Sequence, residues 1–219
     1  MVYEGMFKLG KKVTVEDYAQ LKSRIQGWPW PQRVALAAAI AHRLLNHNQG
    51  LPLKDQDRLA TGLDVHLTTL WNTLLSGNKA VDTRLKKLYV KLYAKLTDYD
   101  AEKDQQPPDD NNPTAAFTYA LREYCYRDGK YPLAAPSCLM ETAVQPVGTW
   151  AEMSGLDLMS DKVQARMDLF ARREFDRVLS MASIIEVQGI TAKSTERLRR
   201  LSARGAVGTP WRGTRGAKS

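Results

Sequence analysis

Side chains able to do chemistry are sparse in this sequence of 219 residues. Its three histidines are His42, His47 and His66. His42 and His47 are separated by five positions, so on one helix they diverge, where a helical metal pair needs i, i+4 spacing. The two cysteines, Cys125 and Cys138, form no C-x-x-C pair and read as reduced core thiols of a cytosolic protein. Asp109-Asp110 is a carboxylate pair of the kind that assists hydrolysis through a metal. Beside Pro107-Pro108, however, it has the composition of a solvated turn. Glu141 lies on an apolar stretch, and an acid turned toward a core needs a partner such as Arg43 or Arg122. No glycine-rich phosphate loop, G-x-S-x-G or H-E-x-x-H is present. These patterns name no catalytic residue, no metal ligand and no cofactor.

Charge gives a clearer signal. The chain carries a net +8, of which +7 falls between Lys193 and Ser219, where eight basic residues face the single acid Glu196. The rest of the chain is close to neutral. Lys193, Arg197, Arg199, Arg200 and Arg204 lie on an expected short helix from Thr191 to Arg204. Arg197, Arg200 and Arg204 are spaced to share one of its faces. Beyond it, Gly205 to Ser219 adds Trp211, Arg212, Arg215 and Lys218 among four glycines. Such a segment is too polar and glycine-rich to pack, and reads as a flexible basic tail. Arginine beside an exposed tryptophan suits phosphate contact and base stacking. These nine residues are the candidate nucleic-acid contacts; the competing reading is a solvated end.

The elements that must position these groups are helical. Leu85, Leu88, Tyr89, Leu92, Tyr93 and Leu96 fall on one stripe between Asp82 and Asp98, with Lys86, Lys87, Lys91 and Lys95 elsewhere around the helix. Thr14 caps a helix to about Gln26, with Glu16 and Asp17 in its first turn. Trp28-Pro29-Trp30-Pro31 connects to an alanine-rich helix over about 31–47. A segment at 54–76 is weak at Gly62. Asp98 to Asn112 reads as an exposed acidic loop. Asn112-Pro113 opens the next helix, which closes at Gly129. Another runs from Pro136 to about Ala151, with a kink or break expected at Pro146. Ser160-Asp161 opens a helix to about Met181. Ile184-Ile185-Glu186-Val187 is the one β-like fragment and is taken as a connector. The longest apolar stretch, Val34 to Ile40, falls well short of the ~20 residues of a membrane span. The first five residues lack the apolar core of a signal peptide.

Trp30-Pro31-Gln32-Arg33-Val34-Ala35-Leu36-Ala37-Ala38-Ala39-Ile40-Ala41-His42-Arg43-Leu44-Leu45 resembles the opening of the YjaG-like bacterial family, domain of unknown function 416. There an alanine-rich helix ends in an acidic-Arg-aliphatic element; His42 stands in place of the acid. Leu63-Asp64 with Leu70-Trp71-Asn72-Thr73-Leu74 is similar to that family's Trp-Glu-x-Leu helix, with Asn72 in place of the acid. Glu141-Thr142-Ala143-Val144 is similar to a segment with a Thr-Val pair. The family's closing small-polar-Ile-Gly-Ile motif is absent after Gly205. The resemblance spans about residues 30–200; it implies a compact helical fold and brings no active site.

The sequence therefore predicts an all-α single domain of about eight helices. Residues 1–29 form an N-terminal extension with one helix, 30–204 the helical domain and 205–219 the flexible basic tail. Three functions fit. The first is a non-enzymatic scaffold or adaptor holding a protein partner in a groove of the body. The second is a nucleic-acid-associated accessory protein using the tail. The third is an enzyme with a helical-bundle site. Each is expected in the cytoplasm without membrane contact, and the oligomeric state is left open.

Overall fold

The structure is a computed structural model that describes residues 12–77, 80–103, 112–130, 133–203 and 207. Among the described residues eight α-helices are formed and no strand. They are α1 (Val15–Gln26), α2 (Trp30–Gln49), α3 (Leu63–Leu75), α4 (Thr83–Lys103), α5 (Asn112–Tyr126), α6 (Ala134–Met153), α7 (Asp161–Gln188) and α8 (Ala192–Ala203). Two 3-10 turns, Leu53–Asp55 and Arg58–Ala60, lead into α3.

The alanine-rich helix α2 is the centre. Val34, Ala35, Ala38, Ala39, Ile40, Ala41 and Leu44 are wholly inaccessible, and α2 packs against α3, α5, α6, α7 and α8. Alanine is what permits this, because a small side chain on every face lets five neighbours approach one helix. The most extensive packing is of α2 on α5, whose Ala116, Phe117, Ala120, Leu121 and Tyr124 are also fully buried. A separate small cluster of Val147, Ala151 and Val163, with Trp150 and Phe170, holds the far ends of α6 and α7 together.

Four expectations are corrected. Helix α4 continues to Lys103, through residues expected to start the acidic loop; Asp98 to Lys103 contains no breaker, and the first proline is Pro107. Pro146 lies inside α6 and the helix runs on to Met153, so of the kink or break expected there the break is excluded. One missing N–H is tolerated there because α6 packs along both α5 and α7. Helix α7 extends to Gln188 and takes in the β-like fragment. Its Ile185 is fully buried and its Ile184 nearly so, and packing overrides strand propensity. The segment at 54–76 is helical only from Leu63, where Gly62 at φ +79° supplies a left-handed lead-in.

Helix α1 is fixed at both ends. Thr14 and Asp17 form a capping box, with Thr14 Oγ1 accepting from the Asp17 N–H at 3.2 Å and the Asp17 carboxylate accepting from the Thr14 N–H at 2.9 Å. Arg172 of α7 also bonds the Asp17 carboxylate and donates to the Lys12 carbonyl at 2.7 Å. The Arg172 bond first, and then the Thr14 N–H, hold the Asp17 carboxyl down at about 2 against its ordinary 3.8. A carboxyl lowered in the folded state stabilises above its unfolded pKa, and that contribution is lost as pH falls through the folded value. Asp17→Asn should therefore narrow the difference in melting temperature between pH 5 and about pH 2; an unchanged difference would show that the pair contributes nothing. Near the other end of α1, Arg24 Nε meets Glu186 of α7 at 2.7 Å, and the Trp28 indole donates to Glu186 at 3.2 Å.

Val207 is buried in the main core at 1% exposure. One residue of the segment 205–219 thus belongs to the packed body, while 208–219 lie outside the described residues.

Candidate functional site

The sequence signals converge on α7 and α8. Helix α7 ends at Gly189, whose φ of +60° and ψ of −160° belong to a region only glycine occupies without strain. Two residues later Thr191 opens α8, its hydroxyl accepting from the Ser194 N–H at 3.1 Å while the Ser194 hydroxyl accepts from the Thr191 N–H at 2.9 Å. The short turn folds α8 back antiparallel to α7. Ser194, Thr195, Leu198 and Ser202 face inward and are buried.

A buried polar cluster holds this hairpin to the centre of the fold. Arg43 of α2 is 1% exposed, and its Nε donates to Glu174 of α7 at 2.5 Å. The other side of the fork pairs with the second oxygen, making a bidentate contact. Arg177 Nε approaches the same carboxylate at 3.4 Å. Both arginines then reach the C-terminal end of α8: Arg43 Nη1 donates to the Ser202 carbonyl at 3.3 Å and Arg177 Nη1 to the Leu201 carbonyl at 3.1 Å. Those carbonyls lack helical partners, and cations favour that end of a helix dipole. Ser202 adds a hydroxyl bond to the Ala39 carbonyl of α2 at 2.8 Å.

On the outer side of the hairpin lies a groove of about 840 Å³. From α7 it is lined by Ser180, Ser183, Ile184, Val187 and Gln188, and from α8 by Lys193, Glu196, Arg197, Arg200 and Leu201. Each set falls at i, i+3, i+4, i+7 and i+8, one straight stripe on each helix. Ile184, Val187 and Leu201 give apolar contact, and Val187 is 83% exposed. Lys193, Arg197 and Arg200 supply three cations, of which Arg200 pairs with Glu196 one turn earlier.

Of the nine residues singled out in the sequence, Lys193, Arg197 and Arg200 are together in this groove. Arg199 is half-buried on another face, where its charge acts on His42. Arg204, Trp211, Arg212, Arg215 and Lys218 lie outside the described residues, as do Asp109 and Asp110. The residues missed are those of the α7 side, Ser180, Ser183, Ile184, Val187 and Gln188. Their helical spacing was in the sequence, but two serines and a β-like run concealed it.

The other chemical candidates are placed plainly. Glu141 is exposed rather than core-facing. Arg43 is held by Glu174, while Arg122 pairs with Asp128 at 3.5 Å and donates to the Tyr89 hydroxyl at 3.1 Å. Burial first, and then Arg199, push His42 below its ordinary pKa; burial and then Arg43 do the same to His47, with Glu174 opposing. Burial pushes the thiols of Cys125 and Cys138 up to about 11 and about 12, so neither is a reactive thiolate at neutral pH. Among the described residues no three His, Cys, Asp or Glu side chains are grouped to hold a metal ion. No helix there is long and apolar enough to cross a membrane. No protein-family model, curated protein or solved structure matches this chain.

Proposed function

We propose that the protein is a non-enzymatic helical adaptor, and that the α7–α8 groove receives an amphipathic, acidic helix from a partner protein. The observation that carries this is the pair of parallel i, i+3, i+4, i+7, i+8 stripes bordering one open groove. Two helices presenting such stripes side by side leave the seat that a third helix fills by ridge-into-groove packing. Apolar anchors of the incoming helix would meet Ile184, Val187 and Leu201. Its carboxylates would meet Lys193 and Arg197, which sets orientation and association rate. With its free thiols, the protein is proposed to act in the cytoplasm. The likeness to the YjaG-like family stays a proposal on the motifs quoted for it, and it assigns no activity.

A synthetic helical peptide tests the reading, with leucines at i, i+3, i+4 and i+7 and glutamates between them. It should bind the full chain, and the same peptide with lysines for glutamates should not. Burying one valine contributes about 1.5–3 kcal/mol, so Val187→Asp should weaken binding by about tenfold or more. Arg197→Glu should weaken it as well and remove part of its salt dependence. Equal binding of both peptides, or indifference to both substitutions, would overturn the groove assignment.

A further inference from the structure

Helix α4 changes the sign of its charge along its length. From Thr83 to Leu96 it carries Arg84, Lys86, Lys87, Lys91 and Lys95 and no acid, whereas Thr97 to Lys103 brings Asp98, Asp100 and Glu102 against one lysine. This order opposes the helix dipole, which favours acids first and bases last, so the stability of the helix itself does not account for it. The helix is held to the body by Leu85, Tyr89 and Leu92, which are buried, with α5 its principal neighbour. On the opposite side Thr83, Lys87, Val90 and Ala94 are exposed, Val90 at 55%. With Thr97 and Ala101 they recur at alternating steps of four and three residues, the register of a second, outward seam. By helical spacing Arg84, Lys91 and Asp98 border that seam on one side, and Lys86, Tyr93 and Asp100 on the other.

A seam that is basic at one end and acidic at the other is complementary to itself turned end for end. Two such helices laid antiparallel, with the two-fold axis at residue 92, set Val90 of each against Ala94 of the other and Lys87 against Thr97. The bordering positions then set Arg84 against Asp98 and Lys86 against Asp100, each twice by symmetry, and bring Tyr93 to its own copy at the axis. Lys91 is the one cation that meets itself. A parallel pair sets Lys86 against Lys91 instead, and an acidic helix from another protein faces Asp98 and Asp100 with like charge. We infer that the outward face of α4 docks a second copy of this chain, forming an antiparallel, two-fold-symmetric homodimer held chiefly by charge. The facing stretch, Thr83 to Ala101, is about 27 Å long, and its seam offers one valine and two alanines a side. An interface of that size and polarity belongs to the weak class, with Kd of about 10–100 µM in low salt. It stands apart from the α7–α8 groove and does not depend on it; each dimer carries two such grooves.

The test is sedimentation equilibrium of the full chain between about 1 and 200 µM. The parent should show a monomer–dimer equilibrium that weakens as salt rises from about 50 to 500 mM. Arg84→Glu/Lys86→Glu makes both ends of the seam acidic, and Asp98→Lys/Asp100→Lys makes both ends basic; each variant alone should stay monomeric. Mixed in equal amounts the two restore all four pairs, and the mixture should dimerise as tightly as the parent. Lys91→Gln removes the one like-charge contact and should tighten the dimer by about threefold. If either double variant melts early, Val90→Arg at its exposed position replaces it as the disrupting change and should raise Kd by about tenfold or more. A parent that is monomeric at about 200 µM in low salt, a dimer indifferent to these substitutions, or a mixture no more associated than its components would each overturn the inference. So would a Lys91→Gln chain that associates more weakly, since Lys91 would then be facing an acid.

Discussion

Replacing Glu174 with alanine should lower the stability of the protein by about 3–5 kcal/mol, because it leaves the Arg43 guanidinium buried without its carboxylate. The measurement is urea unfolding, read as a fall in midpoint at constant slope. Arg43 is 1% exposed and Glu174 4%, so water cannot substitute for the lost partner. The argument concerns breaking the pair and not the pair's net worth. Arg43→Met/Glu174→Leu, which removes both charges and keeps volume, should recover much of the loss. A Glu174→Ala protein within about 1 kcal/mol of the parent would show that Arg43 finds other partners. The same variant bears on function. Arg43 and Arg177 hold the last carbonyls of α8, and Glu174 sits between them. Loosening it should weaken peptide binding at the groove even though Glu174 does not line it.

Trp71→Ala should cost about as much, roughly 3–5 kcal/mol, through the cavity left by the largest fully buried side chain. Trp71→Phe should cost about half of that or less, since a ring is kept and the indole nitrogen has no hydrogen-bond partner among the described residues. Thermal unfolding of the two variants side by side distinguishes a packing role from a polar one. Equal losses would mean that Nε1 makes a contact worth as much as the ring.

Most of the fold was legible because helix periodicity and punctuation are local. The Thr14 cap, the stripe from Leu85 to Leu96, and the start of the last helix at Thr191 all act within a few residues. What escaped depended on distant partners. Pro146 looked like a break until α5 and α7 were seen to hold α6 on both sides. Ile184 and Ile185 looked strand-like until their burial showed which helix face they occupy. The pairing of Arg43 was the hardest. Glu141 was a plausible partner in sequence, but the true one is 131 positions away on a helix that sequence alone cannot orient. The groove was half legible: charge found Lys193, Arg197 and Arg200, whereas its α7 side required knowing that α8 folds back. The tail needs one adjustment too. Since Val207 is packed in the core, a truncation meant to remove only the basic end belongs after it and not at Gly205.

The central position of α2 also dictates how the molecule comes apart. Five helices use it as their common wall, so none of α3, α5, α6, α7 or α8 can leave without wetting α2. They form one cooperative unit that opens only when the whole domain does. Helix α4 is different, because its principal neighbour is α5. Its Leu85, Tyr89 and Leu92 are nevertheless buried in the main core, so it is fastened to the body chiefly through α5.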